Sequence, residues 1–111
     1  MTGVDIMTRA EKKKARNDLI RELSPEIFWD VVISRLDVDQ NKDLIIERVL
    51  TRGREKDEIL LWKMYSYRVI KNVTLNLYEL NDLTVRYMSF VLGVKEEKFR
   101  CYGKIPWNRS C

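Results

Sequence analysis

Three carboxylates, those of Asp37, Asp39 and Asp43, lie within seven consecutive positions. Clustered oxygen ligands of this kind suit a hard divalent cation such as calcium. The stretch lacks, however, the glycine and the terminal glutamate of a calcium-binding loop. Capping at the start of a helix, by Asp39 or Asn41, accounts for these side chains better. We therefore predict no metal site, and nothing in the sequence predicts a cofactor.

Glu47 and Arg48 stand between two groups of apolar residues. A single carboxylate could act as an acid or a base, but such catalysis generally needs a second titrating group in a contrasting environment. An ion pair or a helix-capping link near the core is the interpretation that we favour.

The sequence has no histidine and two cysteines, Cys101 and Cys111. Without histidine there is no histidine-based acid–base catalysis, no Ser-His-Asp triad and no histidine zinc site. Two cysteines cannot make a structural zinc site without carboxylates, and we expect them to be free thiols in a reducing compartment. We predict a protein that is not an enzyme and has no catalytic residues; a small enzyme without histidine is the third alternative.

Positive charge is concentrated at the two ends of the chain. The formal net charge is +4, yet residues 9–21 hold six basic and two acidic residues, and residues 94–111 hold five and two. Basic ends can bind phosphate backbones by releasing counterions. The alternative is a solvated helix face that keeps the chain soluble. The hypothetical nucleic-acid contacts are Lys12, Lys13, Lys14 and Arg16.

Three tryptophans could stack on unpaired bases. Trp29 and Trp62 lie among apolar residues, so we expect both to pack in or at the edge of the core. Trp107 lies with Arg109 in a basic tail, where two alternatives stay open: contact with a partner protein, or packing back onto the body.

The N-terminal part of the chain predicts one helix and one irregular segment. Residues 8–23 read as a helix with Thr8 as N-cap and Glu11 at the capping-box position. Its apolar residues are sparse, which indicates either a frayed arm or a dimer contact. Pro25 should end it at Ser24. For residues 26–36 we favour an extended docking segment or a short 3₁₀ turn over a strand, because no second strand is evident.

Four further helices follow from apolar spacing and capping signals. The last begins at Asn81 or Asp82, ends at Gly93, and presents an apolar stripe that contains Leu83, Tyr87, Phe90 and Val91. The expected fold is all-α, a compact bundle of five to six short helices. We divide it into a basic N-terminal arm or helix (1–22), a helical domain (23–102) and an irregular tail (103–111). The other predicted helices run from residue 39 or 41 to Gly53, from Glu55 to Tyr65 and from Tyr67 to Leu77.

Two helix junctions have the outline of a helix-turn-helix. At Gly53 the second helix starts with Glu55, Asp57 and Glu58, which phosphates would repel. The later junction fits this motif better, because Thr84 and Arg86 lie in the first turns of its second helix. In a helix-turn-helix protein the residues that contact the bases lie there. A DNA-binding regulator that uses these two residues is the alternative function.

Three stretches carry a resemblance to a known group of proteins. They are L-S-P-E-I-F-W-D-V at 23–31, I-I-E-R-V-L-T-R-G at 45–53, and the run from Leu83 to Val94 that contains F-V-L-G-V. Together, over residues 23–102, they resemble a family of small, functionally uncharacterised bacterial helical domains. Ser66 stands where a glycine is usual. The resemblance implies a helical fold and an antitoxin-like role beside nucleotidyltransferase-type toxins, and it supplies no active site.

The sequence thus favours a non-enzymatic binding module of the bacterial cytoplasm, acting as an antitoxin-like or regulatory partner of a toxin-like protein. Nucleic-acid contact and a homodimer stay open. We expect no membrane association, because no apolar run reaches the length of a membrane span and no secretory signal is evident.

Overall fold

The fold is all-α. The computed structural model describes residues 8–78 and 80–100, and within them it has five α-helices, three short 3₁₀ helices and no strand. The 3₁₀ helices are Pro25–Phe28, Ile33–Arg35 and Glu96–Lys98. The α-helices are α1 (Arg9–Ile20), α2 (Lys42–Arg52), α3 (Glu55–Met64), α4 (Tyr67–Asn76) and α5 (Asp82–Leu92).

Helix α1 begins as predicted and ends earlier than predicted. The Thr8 hydroxyl accepts the amide of Glu11 at 3.1 Å, and the Glu11 carboxylate accepts the amide of Thr8 at 2.9 Å, which is a capping box. The helix ends at Ile20. A hydrogen-bonded turn then brings Leu23 into the core beside Ile20, so burial of these side chains ends the helix before Pro25 can.

The segment after α1 forms two 3₁₀ turns, as we favoured, and the strand alternative is wrong. The first turn buries Ile27 and Phe28. Successive side chains of a 3₁₀ helix point about 120° apart, so this burial turns Trp29 to the outside. Trp29 is 73% exposed, and our prediction of a core tryptophan there is therefore wrong.

Helix α2 is the centre of the bundle, in contact with α3, α4 and the 3₁₀ turn Pro25–Phe28. It buries Ile45, Ile46 and Val49, the apolar residues on either side of Glu47 and Arg48. It ends at Arg52, and Gly53, the C-cap residue, has an ordinary negative φ of −78°. A Cβ atom at Gly53 would lie 2.5 Å from the Val49 carbonyl oxygen, so this position needs glycine for the close approach of the backbone.

Helix α5 has two apolar faces, and the one in the core is not the stripe that the sequence analysis singled out. Its buried face consists of Val85, Met88 and Leu92, together with Thr84. Leu83, Tyr87 and Phe90 lie on the outward face instead. Gly93 closes the helix, as predicted, and it does so in the left-handed conformation, with φ 68°.

One core joins these elements, from Ile20 of α1 to Phe99 beyond the last 3₁₀ turn. In the described part of the chain, none of the helices combines the length and the apolar character that a membrane crossing requires.

Candidate interaction surfaces

The outward face of α5 carries the largest exposed apolar side chains of that helix. Leu83 is 78% exposed, Tyr87 46% and Phe90 86%. Residues separated by four and then three positions share one face of a helix. We refer to Leu83, Tyr87 and Phe90 as the α5 stripe.

Both ends of α5 are fixed, so the stripe is held in place. At the start, the Asn81 side chain accepts the Thr84 amide at 2.7 Å and caps the helix, which confirms the predicted cap. At the end, the Tyr67 hydroxyl donates to the Leu92 carbonyl at 2.6 Å and ties α4 to α5. Because the opposite face of α5 is in the core, the α5 stripe points away from the body.

The α5 stripe has an acidic edge, where α3 lies. The Tyr87 hydroxyl donates a 2.7 Å hydrogen bond to Oε2 of Glu58. This bond to Glu58 is the main cause of the raised pKa of Tyr87. Burial and the charges of Glu58 and Glu55 raise it further. The phenol therefore stays neutral and keeps its proton on the side of Glu58.

A groove of about 370 Å³ runs beside the stripe, between the end of α2 and the start of α5. Thr84 lies in its wall and is only 8% exposed, whereas Arg86 is exposed. Of the two residues hypothesised to read DNA, only Arg86 projects freely. Its exposed neighbours Leu83 and Phe90 are apolar, and this placement does not favour a DNA-reading helix. The groove is lined by Leu50, Thr51, Asn81, Leu83, Thr84 and Tyr87.

The four basic residues of α1 proposed as phosphate contacts have different surroundings. Arg16 holds α1 on the body: its Nε donates to the Met64 carbonyl at 2.8 Å, and its guanidinium lies 5.5 Å from the centre of the Tyr65 ring. Lys13 pairs with Asp37 at 3.1 Å, and Lys14 with Asp18 at 3.5 Å. Lys12 is exposed, and it forms no ion pair with any described residue.

Lys12 lines a concave basic surface on α1. This cleft, of about 510 Å³, brings Arg9 and Lys12 next to Lys13 and Arg16, with Asp39 as its acidic member. Asp39 lies 3.2 Å from Arg16 and 3.9 Å from Lys13, so it offsets part of their charge. Arg9 and Lys12 are the cations left to attract an anion there.

The carboxylate of Asp37 stabilises a turn. Asp37 accepts the amides of Gln40 at 2.9 Å and Asp39 at 3.0 Å. The hydrogen bond from the Gln40 amide is the main cause of a lowered pKa of Asp37, which is about 2. Burial opposes this effect, and Lys13 adds to it. Asn41 occupies the N-cap position of α2, as predicted, but its side chain accepts the Asp37 amide at 2.8 Å and makes no capping bond to the helix. Within residues 8–78 and 80–100, no three His, Cys, Asp or Glu side chains are grouped to hold a metal ion.

Arg48 forms the ion pair expected near the core, with Asp30, a partner 18 residues away that the sequence does not indicate. Its guanidinium binds both carboxylate oxygens of Asp30, at 2.7 and 2.8 Å, and donates to the Ile27 carbonyl at 2.9 Å. Glu47 lies 3.5 Å away. These bonds join α2 to the 3₁₀ turn, which is a structural role.

Two sets of predicted residues remain to be placed. Trp62 is half-buried and stacks on Tyr67, with ring centres 6.4 Å apart, which confirms its position at the edge of the core. Trp107, Arg109, Cys101 and Cys111 lie outside the described residues.

Part of the chain matches a known family model. Residues 23–74 match the model of a family of unknown function, DUF6922. The match covers somewhat less than half of the chain. It runs from the first 3₁₀ turn into α4, and α1 and α5 lie outside it. No curated protein and no solved structure shows a significant match.

Proposed function

We propose that this protein is a non-enzymatic binding module that acts by protein–protein contact, and that the α5 stripe is its contact surface. The observation that carries the proposal is the 78% exposure of Leu83 and the 86% exposure of Phe90 on a helix whose opposite face is in the core. Adjacent exposed apolar side chains on a soluble domain are typical of interaction sites.

The energetics support this proposal. Burial of a large apolar side chain contributes roughly 1.5–3 kcal/mol, so the three residues of the α5 stripe can supply several kcal/mol to a complex. Tyr87 and Phe90 have few rotatable bonds and lose little conformational entropy on binding. Aromatic anchors of this kind often dominate the energy of an interface.

Three carboxyl groups, those of Asp30, Asp37 and Asp57, have a lowered pKa. Their surroundings support a role without catalysis. Asp30 binds Arg48, Asp37 accepts amides of its own turn, and Asp57 accepts bonds from Ser24 and Arg54. Each group is already engaged in holding the fold. A catalytic acid or base has to face a substrate instead.

The finer proposal is an antitoxin-like or regulatory role in a bacterium, in which the α5 stripe covers a toxin-like protein. The sequence resemblance to domains encoded beside nucleotidyltransferase-type toxins supports it. A small helical domain with a preformed apolar face is suited to such inhibition, because it binds with little ordering cost.

Capture from host cells tests the proposal. The wild-type protein and the double variant Leu83→Glu/Phe90→Glu are used as baits, with Val32→Glu, another exposed apolar position, as the matched control. We expect wild type and Val32→Glu to capture the same protein and the double variant to lose it. The captured protein, once purified, should bind wild type directly, and any toxic activity it has should be suppressed. Equal binding to the double variant would overturn the proposal.

Nucleic-acid contact through α1 is the second candidate, and the exposed cations Arg9 and Lys12 of the basic cleft favour it. Anisotropy with labelled duplex DNA and single-stranded RNA at about 50 mM salt measures it. We expect Arg9→Glu/Lys12→Glu to abolish binding and Arg35→Glu, an exposed cation elsewhere, to leave most of it. Absence of binding by the wild-type protein would rule this candidate out.

A further inference from the structure

The α5 stripe has the spacing of a coiled-coil seam. Leu83, Tyr87 and Phe90 are separated by four and then three residues, the spacing with which two helices interlock their side chains. The stripe lies on the outside of a folded helix, so it can pack on another helix with the same spacing without any rearrangement of the core.

The two edges of the stripe differ in charge: Arg86, one turn after Asp82, lies on one edge, and two glutamates lie on the other. At about 100° per residue, Arg86 lies about 60° from Leu83 on one edge. Glu58 lies on the other edge, hydrogen-bonded to Tyr87, and Glu55 is close enough to act on the same phenol. Among the described residues, neither Arg86 nor these two glutamates form an ion pair.

This charge pattern is self-complementary in one orientation. When two copies of a helix pack face to face in parallel about a two-fold axis, each edge of one helix meets the opposite edge of the other. Arg86 of each copy then approaches Glu58 of the partner subunit. In the antiparallel orientation like edges meet, so Arg86 faces a second Arg86 and acidic residues face each other.

We propose that, when no other partner is bound, two copies of this chain associate through the α5 stripe with their α5 helices parallel. Each stripe residue packs on its own counterpart, and Arg86 pairs with Glu58 of the partner subunit. The inference rests on the proposed function, since it takes the same stripe as a contact surface. It adds regulation: a binding partner must first displace the second copy.

The dimer should be weak. The stripe spans eight residues, about 10 Å of helix, so the interface is at the small end of the size range of specific contacts. We expect dissociation constants of tens of micromolar, which a tighter partner can overcome.

Analytical ultracentrifugation over a range of concentrations, up to about 0.5 mM, tests association. We expect a monomer–dimer equilibrium for the wild-type protein and for Val32→Glu, and a monomer for Leu83→Glu/Phe90→Glu. Circular dichroism of each variant checks that it is folded. A wild-type protein that stays monomeric overturns this inference and leaves the capture experiment intact, since capture concerns a different protein. A dimer that the double variant retains also overturns it.

Charge exchange tests the orientation. Arg86→Glu alone and Glu58→Arg alone should each weaken the dimer about tenfold, because like charges then face each other, whereas Arg35→Glu should not. An equimolar mixture of the two single variants should form a heterodimer of wild-type affinity, since both ion pairs are restored between different chains. If each single variant forms a dimer as tightly as the wild-type protein does, the parallel arrangement is wrong.

Discussion

The carboxylate of Asp57 on α3 accepts two hydrogen bonds from Ser24, which lies 33 residues earlier in the chain. One oxygen accepts the Ser24 amide and the other its hydroxyl, both at 2.8 Å. The second oxygen also accepts the Arg54 amide at 2.9 Å. Asp57 is fully buried, so one side chain caps α3 and fixes the turn after α1.

Removal of the Asp57 carboxylate should destabilise the protein strongly. In Asp57→Ala the buried amide and hydroxyl of Ser24 and the Arg54 amide lose their acceptor. We expect a loss of about 3 kcal/mol or more in the free energy of unfolding, measured by urea denaturation. Glu55→Gln, an exposed change in the same turn, should alter it by less than about 0.5 kcal/mol. Equal effects of the two variants would contradict the assigned role of Asp57.

Acid should destabilise the fold through the same group. Burial raises the pKa of Asp57, but the Arg54 and Ser24 amides and the Ser24 hydroxyl outweigh it and leave the pKa lowered. A lowered pKa in the folded state stabilises the protein at pH values above the pKa of the unfolded state, which is about 3.9. This stability is lost as the pH falls through the folded value. The melting temperature should fall as the pH is lowered from about 7 to about 2, and it should fall less in Asp57→Asn.

Arg16 should matter for stability, in contrast to Lys12. Arg16→Ala loses the bond to the Met64 carbonyl and the contact with the Tyr65 ring, so we expect a loss of about 1.5–3 kcal/mol. Lys12→Ala, an exposed residue of the same helix, should change the free energy of unfolding by less than about 0.5 kcal/mol. Chemical denaturation measures both. A large effect of Lys12→Ala with none for Arg16→Ala would contradict the placement of α1.

The two faces of α5 should respond differently to truncation. Met88→Ala removes a fully buried side chain, and we expect a loss of about 2–5 kcal/mol. Phe90→Ala, on the exposed face, should cost less than about 1 kcal/mol in the monomer. Thermal unfolding at low protein concentration compares them. The reverse order would mean that the α5 stripe, and not the face of Met88, packs in the core.

Gly53→Ala should destabilise the junction of α2 and α3. The added Cβ would lie 2.5 Å from the Val49 carbonyl oxygen, a backbone atom that cannot move aside cheaply. We expect a loss of about 1–3 kcal/mol, measured by chemical denaturation. Arg52→Ala, one residue earlier and exposed, serves as the control and should be nearly neutral. An unchanged stability of Gly53→Ala would show that the junction can relax.

The sequence by itself determined the helices, because their signals are local. Thr8 with Glu11 and Asn81 with Thr84 are capping pairs only three residues apart. Pro25 restricts the backbone at its own position, and Gly93 permits the positive φ that ends α5. The edge position of Trp62 also followed from its neighbours in the chain.

Only the tertiary structure decided which polar and apolar side chains are buried. Helix α5 has apolar residues on two opposite faces, and the contacts of Met88 with the core select one of them. Asp30 with Arg48 and Ser24 with Asp57 are pairs far apart in the chain, and Trp29 is exposed because Phe28 is buried. The physical reason is that burial depends on the residues that other segments bring close, and neither spacing nor composition records those contacts.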